Sequence, residues 1–260
     1  MLLWRAKQYV NYLRRAKNRH GIHSPFVYSL LDTVIYSTEN REVYRIAEGL
    51  KDALLRDTRT ITITDLGAGS NISRSNQRAV KNIALSSAKE LKYGRLLHRL
   101  GAHFQPKEMV ELGTSLGVSA LYQATGNPVG RLTTFEGCPE TAAIARENFK
   151  KTNTANVTLI EGNFDATLQS HLNAIPKLDW FFNDGNHRKE PTLRYFEWCL
   201  QKAHSETILI FDDIYWSKEM AEAWNIIKAH ERVSVTLDLF QIGIVFLREG
   251  QAKQDFVIRY

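Results

Sequence analysis

Cysteine, proline and methionine are scarce in this sequence, with 2, 6 and 3 of them among 260 residues. The two cysteines, Cys138 and Cys199, cannot form a disulfide scaffold and neither stands in a CxxC metal spacing. Both read as small buried hydrophobes. No apolar run approaches the roughly 18–20 residues that cross a bilayer, and the opening MLLWRAKQYV lacks the basic-then-apolar order and small-residue cleavage site of a secretory signal. The expectation is a cytoplasmic protein without a transmembrane segment. With 43% hydrophobic and 24% charged residues and no low-complexity stretch, a disordered chain is excluded as well.

Acid is missing from one place in particular. Residues 1–20 contain Arg5, Lys7, Arg14, Arg15, Lys17 and Arg19 and no Asp or Glu, which equals the formal net charge of +6 for the whole chain. The rest of the sequence is neutral in sum. Leu3, Ala6, Val10, Leu13 and Ala16 recur at helical spacing in this segment, so it reads as an amphipathic helix ending near His20-Gly21. A surface helix docked on the domain with a solvated basic side is one reading. Contact with an acidic substrate, an anionic lipid or RNA is another, and a homodimer interface a third. His20 and His23 follow in a turn-rich link, as surface or packing residues rather than ligands. A second helix carries Val43, Ile46, Ala47, Leu50 and Leu54. Residues 1–84 thus read as a mainly helical N-terminal extension or cap.

From about residue 85 helical and strand periodicities alternate. Helices are predicted over 87–101, 117–125, 139–151, 165–175, 191–203 and 217–229, and strands over 109–114, 131–136, 156–161, 178–184, 206–212, 233–239 and 242–248. This is a doubly wound α/β pattern with a mostly parallel seven-stranded sheet. The last two strands have no helix between them and must form an antiparallel hairpin.

Ligands of such sheets lie at the carboxyl ends of the strands, beside a tight glycine turn. Two turns qualify, Asp65-Leu66-Gly67-Ala68-Gly69-Ser70 and Glu111-Leu112-Gly113-Thr114-Ser115-Leu116-Gly117. A nucleoside site needs an acid about 20 residues on, at the end of the next strand, to bind ribose hydroxyls. Only the second has one, Glu136, 23 residues after Gly113. Its E-x-G-x-x-x-G pattern puts Ser115 where a dinucleotide enzyme needs a glycine, which counts against NAD. The first turn, with Asn71, Ser73, Arg74 and Asn76, reads either as a polar cap over the substrate side or as ordinary turn residues.

With these residues in place, 85–260 resembles a class I S-adenosylmethionine-dependent methyltransferase with a Rossmann-like fold, most closely the catechol and caffeoyl-coenzyme A O-methyltransferase branch. Glu111, Gly113, Gly117 and Ser119 match its first motif. The resemblance implies that Gly113 and neighbouring Thr114 hold the methionine part of S-adenosyl-L-methionine. It implies also that Glu136, followed by Gly137, binds the ribose, and that Gly162-Asn163-Phe164 flanks the adenine. It further implies an acid and a base after the fourth strand, here Asp184 and His187, with Asp184 also beside the cofactor, and an acid pair after the fifth, here Asp212 and Asp213. Asp184, Asp212 and Asp213 are hard oxygen ligands suited to Mg²⁺. Helix capping is the alternative role for all three. The branch carries lysine where this chain has His187, which leaves base, ligand and structural roles open. The acceptor is a small-molecule hydroxyl in this reading. Competing readings are an RNA or protein methyltransferase that uses the basic helix, and a non-catalytic S-adenosylmethionine-binding module. The turn after the fourth strand lacks both prolines of an N-P-P-aromatic box, which counts against exocyclic amines.

Overall fold

The computed structural model describes residues 2–64, 76–87 and 90–260. Packing divides the chain into two compact units, one made of residues 1–37 with 175–260 and the other of residues 38–174. The division therefore falls at residues 37 and 174, with the first 84 residues shared between the units.

The first unit begins with helix α1 (Leu2–Arg15), a short 3₁₀ turn (Arg19–Gly21) and helix α2 (Pro25–Leu30), which runs on into a π-helical turn (Leu31–Ile35). Ser24 starts α2 by accepting the Val27 N–H, and Pro25 occupies its first turn, where no N–H is needed. Val27, Leu30, Leu31, Val34 and Ile35 are all buried. Phe26 packs edge-to-face on Phe246 with centroids 5.0 Å apart, so this stretch is core rather than linker.

The second unit opens with helix α3 (Glu42–Arg56), the hairpin strands β1 (Thr60–Thr62) and β2 (Gln77–Ala79), and helices α4 (Val80–Ser87) and α5 (Leu91–Phe104). Then come β3 (Glu108–Leu112), α6 (Val118–Gly126), β4 (Arg131–Glu136), α7 (Pro139–Lys151), β5 (Val157–Glu161) and α8 (Phe164–Ala174). Strands β3, β4 and β5 pair in parallel, which brings their carboxyl ends side by side. Tyr44, Ala47, Leu50 and Leu54 of α3, with Val80, Ile83 and Ala84 of α4, share one apolar cluster with Leu116, Leu121, Tyr122 and Ile144. The hairpin is tied to α7, because Thr62 N–H donates to Glu140 Oε2 at 2.7 Å and Cys138 Sγ lies 3.4 Å from Thr62 O. The residues proposed as a cap, Asp65, Gly67, Gly69, Ser70, Asn71, Ser73 and Arg74, lie outside the described residues. Asn76 is exposed at the hairpin neck, its carbonyl accepting the Ile63 N–H.

The first unit resumes with β6 (Leu178–Asn183), α9 (Lys189–Leu200), β7 (Ala203–Asp212), α10 (Lys218–Ala229), β8 (Val235–Asp238), β9 (Ile242–Phe246) and β10 (Gln254–Val257). Its strands lie in the order β10-β8-β9-β7-β6. Strand β9 runs antiparallel to both β7 and β8, as the hairpin argument requires, and the other pairings are parallel. Strand β10 was not predicted: Gln-Asp-Phe-Val has no alternation to reveal it, and it is held as an edge by its pairing with β8. Lys17, just beyond α1, extends that edge by donating its N–H to Val257 O and accepting from Arg259 N–H.

Helix α1 docks on this unit by an unexpected face. Tyr12 is buried and donates its hydroxyl to Ile258 O at 2.6 Å. Tyr9 and Tyr12 pack on Phe240, and the Arg5 guanidinium lies 4.6 Å above the Trp216 ring. The expected apolar stripe points away, with Leu3 89% and Val10 46% exposed. The aromatic face wins because tyrosine rings bury more area than alanine or valine while their hydroxyls reach backbone carbonyls.

Candidate active site

In the second unit the turn after β3 is built from backbone hydrogen bonds. Gly113 N–H and Thr114 N–H both donate to Phe135 O at 3.0 Å, Gly117 N–H donates to Thr114 O, and Ser115 N–H donates to Glu136 Oε2 at 2.8 Å. Gly113 and Gly117 have φ of 90° and 84°, in the left-handed region that glycine occupies without strain. A Cβ on Gly117 would stand 2.8 Å from the Phe149 ring, so this glycine also lets α7 pack against the turn. A pyrophosphate cradle keeps its N–H groups for the ligand. Here four of them are consumed within the protein, which suits a ligand without phosphate, such as an adenosine bearing a sulfonium.

Glu111 is fully buried beneath this turn. Its Oε1 accepts from Gln123 Nε2 and its Oε2 from Thr134 Oγ1, each at 2.6 Å, and Thr134 Oγ1 lies 2.6 Å from Thr114 Oγ1. Glu111 thus fixes the turn from below through Thr134 and Gln123. Buried Ser119, in the first turn of α6, accepts a further bond from Gln123 through its carbonyl. Sequence reading missed Thr134 and Gln123, although a buried acid demands donors and both follow within 23 residues.

Glu136 stands at the end of β4, half-buried, its Oε1 taking the Cys138 N–H at 2.9 Å. With Ser115 on the other oxygen, its orientation is fixed by two backbone donors. Gly137 follows it, half-buried. Gly162, with φ 140°, donates its N–H to Glu136 O, and Asn163 caps α8 by accepting the Asp165 N–H. Phe164 is half-buried at the start of that helix. All the residues proposed for the cofactor except Asp184 therefore meet at three adjacent strand ends of one unit.

In the first unit the turn after β6 carries Asp184 and His187, and β7 ends in Asp212. One ligand atom from each lies within 4.8 Å of the others, and His187 Nε2 is 3.8 Å from Asp184 Oδ1. Asp213 is not a member of this cluster. It has φ 52° and its carbonyl accepts the Trp216 N–H, a turn role that an aspartate tolerates. Ser115, Asn186 and Asp213 place a non-glycine residue in left-handed conformation after β3, β6 and β7 respectively. Such strain concentrates at working sites.

Asp184, His187 and Asp212 offer a donor set for a divalent cation. Two carboxylates and an imidazole at this spacing need only small side-chain rotations to share one ion, whose bonds are about 2.1 Å for Mg²⁺. Asn183 Oδ1, at the end of β6, and Asn186 Oδ1, in the turn that follows, are buried without a hydrogen-bond partner among the described residues. The imidazole suits Mn²⁺ or Zn²⁺ better than Mg²⁺.

Residues 110–214 match a family model described as a methyltransferase domain. This part of the chain is thus similar to known methyltransferase domains. It is 32% identical over 124 residues to a catechol O-methyltransferase of Niastella koreensis, covering 46% of this chain and 55% of that one. The chain thus spans just over half the length of that relative. It is 25% identical over 161 residues to a catechol O-methyltransferase of Mycobacterium tuberculosis, covering 60% and 68% of the two. The fold matches an O-methyltransferase of Bacillus cereus solved in complex with SAH, with a TM-score of 0.57, 19% identity and coverage of 84% and 95%. The fold is therefore Rossmann-like, with a mostly parallel sheet and one antiparallel strand in it.

Proposed function

We propose that the protein transfers the methyl group of S-adenosyl-L-methionine to a hydroxyl of a small molecule, with help from a divalent cation. The observation that carries this reading is the Gly113–Gly117 turn, whose N–H groups are spent internally while Glu136 is held rigidly beside it. In it Gly113, Thr114, Gly117 and Ser119 hold the methionine part, Glu136 and Gly137 the ribose, and Gly162, Asn163 and Phe164 the adenine. The cofactor supplies a methyl on a sulfonium, ready for in-line displacement.

The chain's own residues then have two tasks, to align the acceptor oxygen and to keep it deprotonated. Asp184 and Asp212 would hold the cation, which lowers a hydroxyl's pKa. His187 takes the acceptor proton on Nε2, and Asp184 steadies the imidazolium that results. Cluster membership supports a second role in place of the first, with His187 as a third ligand and water or another group taking the proton, and Asp213 in the turn instead of on the ion. Catechol-like vicinal hydroxyls suit such a cation, in keeping with the names of the relatives. We assign residues 1–84 to the acceptor side as an extension of a catalytic domain at 85–260. We also assign helix α1 an acidic partner and place the protein in the cytoplasm. No helix among the described residues is long and apolar enough to cross a membrane.

The test is calorimetric titration with S-adenosylhomocysteine beside a Glu136→Ala variant, followed by methyl transfer to catechol with Mg²⁺, Mn²⁺ or chelator. Micromolar binding that the variant loses is expected. Absence of binding overturns the enzyme reading in favour of a module without turnover. Transfer unaffected by chelator overturns the cation.

A further inference from the structure

Helix α1 is held by one face and presents another. Tyr12, Tyr9 and Arg5 engage Ile258, Phe240 and Trp216. On the opposite arc, at the helical spacing of about 100° per residue, lie Leu3, Ala6, Lys7, Val10 and Arg14, all exposed. Leu3 is 89% and Val10 46% exposed, so the apolar residues that would ordinarily be buried form the outermost line. Lys7 and Arg14 flank that line, and Arg15 and Lys17 are exposed close by.

We propose that this face is a docking surface for an anionic lipid bilayer, with Leu3, Ala6 and Val10 entering the headgroup boundary and Lys7 and Arg14 meeting acidic headgroups. The occupant follows from three observations. Residues 1–20 bring six positive charges and no acid, so a second copy of α1 would set like charge against like charge. RNA is bound through cations and stacking rings, whereas the outermost residues here are aliphatic. A basic helix with apolar side chains along its exposed crest has the composition of helices that lie in a membrane interface. Anionic lipid satisfies both halves of the face, and its attraction for lysine and arginine acts within about a Debye length of the surface. Tyr9, 47% exposed at the edge of the docked face, adds an amphipathic ring of the kind found at headgroup depth.

This proposal is independent of the methyl-transfer reading. It is tested by flotation of the full-length protein with vesicles of phosphatidylglycerol and phosphatidylcholine, against phosphatidylcholine alone. Binding at least about tenfold tighter to the anionic vesicles, weakened in about 0.5 M salt, is expected. A double Lys7→Glu, Arg14→Glu variant should lose that preference. A Leu3→Ser, Val10→Ser variant should bind more weakly while keeping the salt dependence. All four side chains point outward, so S-adenosylhomocysteine affinity and the thermal unfolding midpoint should not change and serve as folding controls. Equal binding to both vesicles, or none to either, overturns the proposal. So does tighter binding to polyuridylate than to anionic vesicles, or a dimer in light scattering that the Leu3→Ser, Val10→Ser variant dissolves.

Discussion

The hydroxyl of Tyr215 donates to Asp238 Oδ2 at 2.6 Å, and the other oxygen of the same carboxylate accepts the Phe240 N–H at 2.9 Å. One buried acid thereby joins the loop that follows Asp212 and Asp213 to the tip between β8 and β9. Burial raises the pKa of Tyr215 and of Asp238 alike. Phe240 adopts φ 70° there, and its ring stacks on Tyr215 at 5.3 Å while α1 covers it with Tyr9 and Tyr12. Tyr215→Phe removes the hydroxyl and leaves the stacking. Turnover should fall several-fold, with S-adenosylhomocysteine affinity unchanged, because the displaced element is the acid-bearing loop. Equal turnover in the variant would show that the loop holds its shape without the bond.

Thr134 supports the Gly113–Gly117 turn from beneath in a comparable way. Replacing it with valine keeps the shape but leaves the buried Glu111 carboxylate without one donor, at a cost of about 1–3 kcal/mol. Chemical denaturation should read that loss. Affinity for S-adenosylhomocysteine should fall with it, since Thr134 also touches Thr114. A stability loss without any affinity loss would confine Thr134 to folding.

The strand–turn–helix order after residue 85, the antiparallel pairing of the last two expected strands and the Gly113-to-Glu136 spacing were legible because each is local: periodicity, loop length and one glycine-acid interval. The face by which α1 docks was not, because the stripe of Leu3, Ala6 and Val10 is a helical pattern whose partner lies more than 200 residues away, at Phe240 and Ile258. The same holds for β10, which exists through its neighbour. The choice of His187 over Asp213 as the third member of the cluster depends on backbone direction after β7, where Asp213 turns left-handed, and no spacing rule carries that information.

Buried His98 lies against the Tyr44 ring, with Arg41 Nη1 3.4 Å from its Nε2 and Thr125 Oγ1 3.4 Å from its Nδ1. Burial chiefly, and Arg41 next, lower its pKa to about 4 from an ordinary 6.5. The unfolded chain therefore binds this proton first as pH falls, so the stability that neutral His98 permits is complete above about pH 6.5 and drains away toward pH 4. At about 1.4 kcal/mol per pH unit, the loss is on the order of 3 kcal/mol. Urea midpoints measured between pH 7.5 and 4.5 should fall accordingly, and a His98→Phe variant should show a flatter profile. An unchanged slope in that variant would assign the acid sensitivity to other groups.

Asp212 and Asp213 are neighbours in sequence with different work to do. Asp212 is buried at the end of β7 and shares ligand distance with Asp184 and His187, whereas Asp213 sits outside that group in a left-handed turn. Asparagine is at home in the left-handed region, so Asp213→Asn should fold normally and keep turnover within a few-fold. Asp212→Asn removes a carboxylate from the cluster and should cut turnover by about two to four orders of magnitude, the scale of losing one charge stabiliser or proton-handling group. A manganese titration followed by paramagnetic relaxation should show binding in Asp213→Asn and none in Asp212→Asn. The reverse order would move the cation from Asp212 to Asp213.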